Sequence, residues 1–368
     1  MSRRESNRES DDERFMRTAL GLARKGIGRT SPNPAVGAVA VKNNRIIAKG
    51  FHRKAGEPHA EIEAIRAASE DVKGATLYVT LEPCCHFGRT PPCTDALIQS
   101  GIKEVVVGQT DPNPKVGGKG IERLRAAGIK VTSGILEDEC RAINDPWTKY
   151  ITRRIPFVAL KLASSLDGRI AAGGGDSKWI TGETSRRLVH RMRSSFDAVM
   201  VGINTVIKDD PELTVRLVKG KNPLRVILDS SLKIPLGARV FKDTAGLVIF
   251  TTRLASPAKI KKVSALGAKV IIVPRSDSGL DLKRVLKELG KMEVTSVLVE
   301  GGGLLAASLI KHGLADKFLF FISPMIIGGD GVPSIGPMGL KRLINAPRLT
   351  NIIVRRIGDD ILIEGKAK

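Results

Sequence analysis

Aromatic residues make up only 4% of the 368 residues, with two tryptophans and two tyrosines. Stacking platforms for single-stranded nucleic acid are therefore scarce. Cysteine is rare too: four in all, too few for a disulfide framework in a chain of this length. No apolar run approaches the ~18 residues that span a membrane. Acidic residues are in deficit, 38 against 60 Lys and Arg, for a formal net charge of +22. Such a field attracts anions, phosphorylated small molecules as well as nucleic acids. Lys and Arg are spread along the chain without an arginine-rich block, however, so charge alone selects no partner. Met1 to Arg14 carries both signs of charge and no apolar h-region, and reads as a disordered tail, neither signal nor transit peptide. These absences point to a cytoplasmic protein without a membrane segment.

What is present is concentrated in a short set of residues. His59-Ala60-Glu61 is followed, across a strand at Ala75–Leu81, by Pro83-Cys84 and then Cys93. One imidazole and two thiols are three zinc ligands, which leaves the fourth tetrahedral position to water, as in catalytic and not structural sites. Zinc lowers the pKa of such a water toward neutrality. A glutamate that is not a ligand, here Glu61, then serves proton transfer, the pattern of zinc deaminases acting on nucleobases. Eight residues separate Cys84 from Cys93, where that pattern has two. Cys85 and His86 compete as ligands on spacing alone, and Cys140 stands apart as a structural thiol. Pro58 and Pro92 are expected at the first positions of two helices, with His59 and Cys93 at their N-termini. His59 and Glu61, two apart, share no helix face; they converge only if the metal lies over the helix end.

Hydrophobic periodicity predicts a helix over Glu13–Lys25 and a hairpin of Val36–Val41 with Arg45–Lys49, turned at Asn43-Asn44. Strands Thr76–Leu81, Glu104–Gly108 and Lys130–Ser133 alternate with helices, which suggests a largely parallel sheet. The pattern resets near Asn144–Pro156. Strands at Phe157–Leu162, Ala198–Val201, Leu224–Asp229, Gly246–Phe250, Lys269–Val273, Ser296–Glu300 and Phe318–Ile322 then describe a second α/β layer. Glu300-Gly301-Gly302-Gly303 is a glycine-rich turn from strand to helix, a place for phosphate but a weak dinucleotide fingerprint.

Several of these stretches resemble bifunctional riboflavin biosynthesis enzymes. In the first half they are Asn33-Pro34-Ala35-Val36-Gly37-Ala38, His59-Ala60-Glu61, Asp111-Pro112-Asn113-Pro114 and the run from Glu82 to Cys93, with Gly88-Arg89-Thr90-Pro91-Pro92 between the cysteines. In the second half they are Lys161 to Gly168, Ser177 to Gly182, Asp209 to Arg216 and Glu300 to Gly303. The resemblance covers roughly residues 12 to 365. It implies an α/β protein of two domains: an N-terminal cytidine-deaminase-like α/β/α sandwich and a C-terminal domain resembling dihydrofolate reductase. The boundaries expected are a tail over 1–12, a zinc-dependent deaminase over 13–154 and an NADPH-dependent reductase over 155–368.

The activity implied is deamination of 2,5-diamino-6-ribosylamino-4(3H)-pyrimidinone 5′-phosphate, then reduction of its ribosyl group to ribityl with NADPH. The resemblance assigns zinc to His59, Cys84 and Cys93, proton transfer to Glu61 and substrate orientation to Asn33. It assigns NADPH to Ala163, Trp179, Thr205, Asp209, Ser230, Gly302 and Gly303, and the second substrate to Ser177, Arg193, Leu213, Arg216 and Glu300. Arg193 and Arg216 suit phosphate because a guanidinium binds it in bidentate fashion. Trp179 and Leu213 read equally as core residues, Asp209 and Asn33 equally as turn residues. Lys161 and Asp167 are candidate proton donors. The partner expected is a phosphorylated pyrimidine, with no nucleic acid and no membrane, on a homo-oligomer. The competing readings are a tRNA or nucleotide deaminase with an accessory domain, and a non-enzymatic scaffold with a structural metal.

Overall fold

The computed structural model describes residues 10–87, 91–114, 116–243, 246–276 and 279–368. The chain divides into two compact units, Met1–Arg154 and Ile155–Lys368. Most of the expected tail, residues 1–9, lies outside the described residues. Its end does not remain a tail: helix α1 (Asp11–Ala23) starts two residues before the predicted Glu13, because Ser10 and Glu13 close a capping box.

The first unit continues with β1 (Gly37–Lys42), β2 (Arg45–Phe51), α2 (Ala60–Arg66), β3 (Thr76–Leu81), α3 (Cys93–Gln99), β4 (Glu104–Gln109), α4 (Lys119–Ala126), β5 (Lys130–Ser133), α5 (Glu137–Ile143) and α6 (Asp145–Arg153). The sheet order is β2-β1-β3-β4-β5. It is mixed, not largely parallel: β1 runs antiparallel to both β2 and β3, and only β3, β4 and β5 are parallel. The reason is local. Asn43 and Asn44, at φ 50° and 58°, close a tight hairpin that reverses β2.

Alternation along the strands separates two apolar layers. Ala38, Ala40, Leu77, Val79, Val105 and Val107 pack with α2, α3 and α4, together with Trp147 of α6. Their neighbours Val39, Val41, Tyr78 and Val106 pack on the other face with Phe15, Met16 and Ala19 of α1 and with Cys140. Sequence alternation alone thus produces an α/β/α sandwich. The segment Asp145–Arg153, where the sequence pattern resets, is helix α6 of this unit.

The second unit contains β6 (Phe157–Ser165), β7 (Arg169–Ala171), α7 (Glu183–Ser195), β8 (Ala198–Gly202), α8 (Ile203–Asp209), β9 (Leu224–Leu228), β10 (Leu247–Thr251), α9 (Pro257–Ala265), β11 (Lys269–Ile272), β12 (Arg275–Ser276), β13 (Gly279–Leu280), α10 (Leu282–Lys291), β14 (Ser296–Val299), α11 (Gly303–Lys311), β15 (Lys317–Ser323), β16 (Val332–Pro333), β17 (Leu349–Ile357) and β18 (Asp360–Ala367). Nine strands form one sheet in the order β11-β10-β9-β8-β14-β6-β15-β18-β17. The pairs from β11 through β15 are parallel, and the final hairpin adds β18 and β17 antiparallel. One face carries α10 and α11 over Leu160, Met200, Phe250 and Val299. The opposite face packs α8 and α9 at one end and α7 at the other. The hairpin has no counterpart in the sequence reading, because most of β17 is exposed on both faces and shows no alternation. Among the described residues, no helix is long and apolar enough to cross a membrane.

One close approach connects fold to site. A Cβ at Gly50 would stand 2.3 Å from the Ala60 carbonyl oxygen and from the Ala64 nitrogen, so α2 lies directly on β2 there. Gly50→Ala must push α2 outward, at a cost of about 1–3 kcal/mol. We expect a lower thermal midpoint and, because α2 carries His59 and Glu61, weaker zinc retention in a metal analysis. A variant that keeps both would show that α2 is not held in this way.

Candidate functional site

In the first unit, His59 is the N-cap of α2, with φ −73° and ψ 165°. Both prolines fall earlier than expected: Pro92 by one position, as the N-cap of α3 with Cys93 the first helical residue, and Pro58 by two, just before the N-cap His59. Extended backbone at His59 removes the geometric conflict with Glu61, since only Glu61 is inside the helix. The His59 ring makes no capping bond. Its Nδ1 instead stands 3.2 Å from Cys93 Sγ and 3.6 Å from Cys84 Sγ. The Cys93 backbone N–H donates to Cys84 Sγ over 3.3 Å.

These three residues are the group that could hold a metal ion among the described residues, their ligand atoms lying within 4.8 Å of one another. Tetrahedral zinc at ordinary bond lengths separates nitrogen and sulfur donors by about 3.6 Å, so the donor set fits that ion. Hydrogen bonds from Cys93 and His59 draw the Cys84 thiol below its ordinary range, while the same contact and burial push Cys93 up, so before any metal binds Cys84 is the thiolate of the pair. Cys85 is half-buried and His86 exposed, and neither joins the cluster. Cys140 is buried beside α1, its thiol pushed up to about 12 by burial. Gly88-Arg89-Thr90 of the motif lies outside the described residues.

Glu61 is buried, and loss of solvent raises its carboxyl to about 7, against the opposing pull of His59. Asn33 sits in a turn and its Nδ2 meets Nε2 of His52 at 3.2 Å. The other ring nitrogen, Nδ1, donates to the Pro58 carbonyl at 3.0 Å. Nε2 is then the acceptor, which fixes the amide of Asn33. His52 also packs edge-on against His59, with ring centroids 5.2 Å apart. Sequence reasoning missed His52, since a lone histidine carries no signal.

Glu82 begins the Glu82–Cys93 motif, and the structure gives it a larger role. Its buried carboxylate accepts the backbone N–H groups of Asp111, Gly118, Gly120 and Ile121 at 2.8–3.2 Å. It thereby caps α4 and holds the Asp111–Asn113 turn beside Pro83-Cys84. Asp111 accepts the Asn113 N–H at 2.7 Å, and burial raises its carboxyl to about 6.

In the second unit a cavity of about 870 Å³ opens at the carboxyl ends of β8, β9 and β14, the usual ligand position in parallel sheets. All twelve residues expected for cofactor and substrate line it. Ala163 comes from β6. Thr205 and Asp209 come from α8, Ser230 from the turn after β9, and Gly302 and Gly303 from the start of α11. Trp179 is 67% exposed, not core, with the Arg186 guanidinium 4.6 Å from its ring centre. Leu213 is both buried and part of the wall. Gly303 allows a close approach: a Cβ there would stand 2.6 Å from the Pro333 carbonyl, whereas one at Gly302 would meet nothing within 4 Å. The start of α11 is thus pinned on one side and open on the other. With Lys178 and Lys208 on the wall, this suits an anionic dinucleotide.

Arg193 is not free in the way its sequence context suggests. Nε and Nη2 donate to both Glu300 oxygens at 2.6 and 3.0 Å, and Nη1 donates to the Thr214 carbonyl. Burial opposes ionisation of Glu300, but Arg193 and then Lys161 hold its pKa below the usual range. Arg216 donates to Glu212 at 2.6 Å and is half exposed. Lys161 lies in the wall with Nζ 4.0 Å from Glu300, its pKa lowered by burial. Asp167, the other candidate proton donor, is outside the cavity wall. It accepts from Ser165 Oγ and the Ile327 and Gly328 N–H groups, which lower it to about 2. It is a turn residue.

Residues 156–363 match the family described as RibD C-terminal domain, and residues 9–109 the cytidine and deoxycytidylate deaminase zinc-binding region. The riboflavin biosynthesis protein RibD of Aquifex aeolicus is 47% identical over 353 residues, 96% of this chain and 97% of that protein. The chain belongs to the RibD family. Solved RibD structures agree in fold along the whole length. RibD of Acinetobacter baumannii superposes with a TM-score of 0.88 at 37% identity, covering 97% of this chain and 99% of that one. A Thermotoga maritima structure, described as a diaminohydroxyphosphoribosylaminopyrimidine deaminase/5-amino-6-(5-phosphoribosylamino)uracil reductase, gives 0.85 at 43% identity over the same shares. RibD membership removes the scaffold reading and the tRNA deaminase reading.

The ligand set is testable apart from catalysis. Cys93→Ser and Cys84→Ser should each lose bound zinc on dialysis, while Cys85→Ser keeps a stoichiometric ion. Zinc loss in the Cys85 variant alone would move the ligand to that residue.

Proposed function

We propose that this RibD protein deaminates the diaminopyrimidinone ribosyl phosphate in its first unit and reduces the ribosyl side chain with NADPH in its second. The observation that carries the reading is the match to the Thermotoga maritima deaminase/reductase over 99% of that chain. The geometry supplies the chemistry. Bound by His59, Cys84 and Cys93, zinc would contribute Lewis acidity toward water at neutral pH. Glu61, buried and not a ligand, is placed to pass one of the water's two protons to the ring nitrogen and the other to the departing amine. Asn33, its amide fixed by His52, orients the pyrimidine.

In the second unit, NADPH would supply the reducing equivalent. Gly302 and Gly303 present the N-terminus of α11 to its phosphates, while Ala163, Trp179, Thr205, Asp209 and Ser230 complete its walls. Ser177, Arg193, Leu213, Arg216 and Glu300 hold the sugar phosphate and ring. The pair Arg193–Glu300 orients both members, and two guanidinium N–H groups remain for substrate. Lys161 is the titratable group positioned to hold a proton beside the sugar. The scarcity of cysteine supports a cytoplasmic location, and the RibD reading supports a small phosphorylated partner, not nucleic acid. We include a homo-oligomer in the proposal.

Purified zinc-loaded protein, incubated with the diaminopyrimidinone ribosyl phosphate, should release ammonia without NADPH and then oxidise NADPH in proportion to substrate. Absence of ammonia from zinc-replete protein would defeat the deaminase assignment, and ammonia without NADPH oxidation would defeat the reductase one. Glu61→Gln should lower ammonia release by about 10²-fold or more, keep zinc, and still reduce the pre-deaminated compound. Loss of zinc in that variant would remove Glu61 from its role.

A further inference from the structure

His190 is a residue of the second unit that the assignments above leave without a task. It lies on α7, three positions before Arg193, so both face the same side of the helix. Its ring lines the cavity together with Arg193, Arg216 and Glu300, although only 7% of the residue is exposed. Nδ1 accepts the backbone N–H of Arg216 at 2.9 Å and, more weakly, that of Leu217 at 3.4 Å. A backbone N–H can only donate, so Nδ1 carries no proton, and the neutral ring carries its hydrogen on Nε2. Burial, with the charges of Arg193 and Arg216, depresses the pKa of the ring to about 4. The imidazole is a fixed donor over the working pH range.

Nε2–H has no hydrogen-bond partner among the described residues. Its surroundings select the group it would meet. Arg193 is neutralised by Glu300 but keeps two N–H groups. The Arg216 guanidinium leans on Glu212 and Thr214 at 2.6 and 3.0 Å. Two guanidinium groups and a neutral N–H gather donors on one wall, and its carboxylates Glu300 and Glu212 are already paired with arginines, an arrangement that matches a phosphate monoester. The other cationic part of the wall, Lys178 and Lys208, stands beside Asp209.

We infer that His190 is a substrate-binding residue of the second unit, its Nε2–H donating to the 5′-phosphate of the sugar while Nδ1 holds the Arg216 backbone in place. The inference rests on the reductase reading and deepens it. The two nitrogens can be tested separately. Asparagine places an amide oxygen near the position of Nδ1, so His190→Asn keeps the backbone acceptor and loses the distal donor. Glutamine places an amide nitrogen near the position of Nε2, so His190→Gln restores the donor.

Binding of the deaminated intermediate, with and without its phosphate, is measured by calorimetry on the full-length protein without NADPH. His190→Asn should weaken binding of the phosphorylated form about ten-fold or more, and His190→Gln should recover most of that loss. The dephosphorylated form should bind all three proteins alike. Equal weakening of both forms in His190→Asn, or unchanged binding of both, overturns the phosphate contact. Unaltered protein with no preference for the phosphorylated form overturns it as well. Because binding is read without turnover, failure of the reductase reading shows separately, as absent NADPH oxidation in the unaltered protein.

Discussion

Four backbone N–H groups converge on the carboxylate of Glu82, and the arrangement of the first unit's site follows from that convergence. A buried carboxylate is costly unless its oxygens are satisfied. Here the groups that satisfy it come from the first turn of α4 and from the Asp111 turn, so both are drawn to the end of β3. Pro83 and Cys84 follow Glu82 directly, and one thiolate is thereby set at the rim of the sheet. Helices α2 and α3 bring His59 and Cys93 to the same rim by their N-termini. The three side chains that could hold a metal ion therefore sit on helix ends and a strand end held by backbone hydrogen bonds, with little freedom to spread.

The second unit solves the same problem with a side chain. Glu300 follows β14 into the cavity, and the forked contact of Arg193, with Lys161 nearby, makes its ionised form tolerable there. The consequence runs in both directions. Arg193 cannot swing out to meet a ligand without leaving a buried carboxylate unpaired, so the wall is rigid before anything binds. That rigidity suits a reaction in which the protein mainly aligns two small molecules and excludes water. The open start of α11 and the exposed face of Trp179 lie on the same wall, where a dinucleotide can lie against preset surfaces.

Much of the fold was readable because strand alternation is a local signal. Val39 and Val106 point away from Ala38 and Val105 by the geometry of extended chain, and the two apolar layers follow. Reading failed where local pattern does not carry the answer. The hairpin at Asn43-Asn44 and the parallel set β3, β4 and β5 were legible, but not that β1 would lie between β2 and β3, antiparallel to both. The hairpin of β17 and β18 escaped notice because an exposed edge strand need not alternate. Asp167 looked available for chemistry in the sequence, and the loop around Gly328 consumes its oxygens instead.

The sequence by itself determined which residues can do the chemistry. Few side chains bind zinc, fewer are thiols, and a glutamate beside a histidine ligand has a narrow range of uses. Candidates for these roles could therefore be named from identity and spacing, with Cys85 and His86 still competing until folding gathers His59, Cys84 and Cys93 into one cluster. Only the tertiary structure decided how those residues are held: Glu82 by four distant amides, Asn33 by His52, Glu300 by an arginine 107 positions away, and the Arg216 turn by His190. The physical reason is that hydrogen-bond partners are interchangeable in sequence. Any polar group that packing brings within reach can serve, and packing is a property of the whole chain.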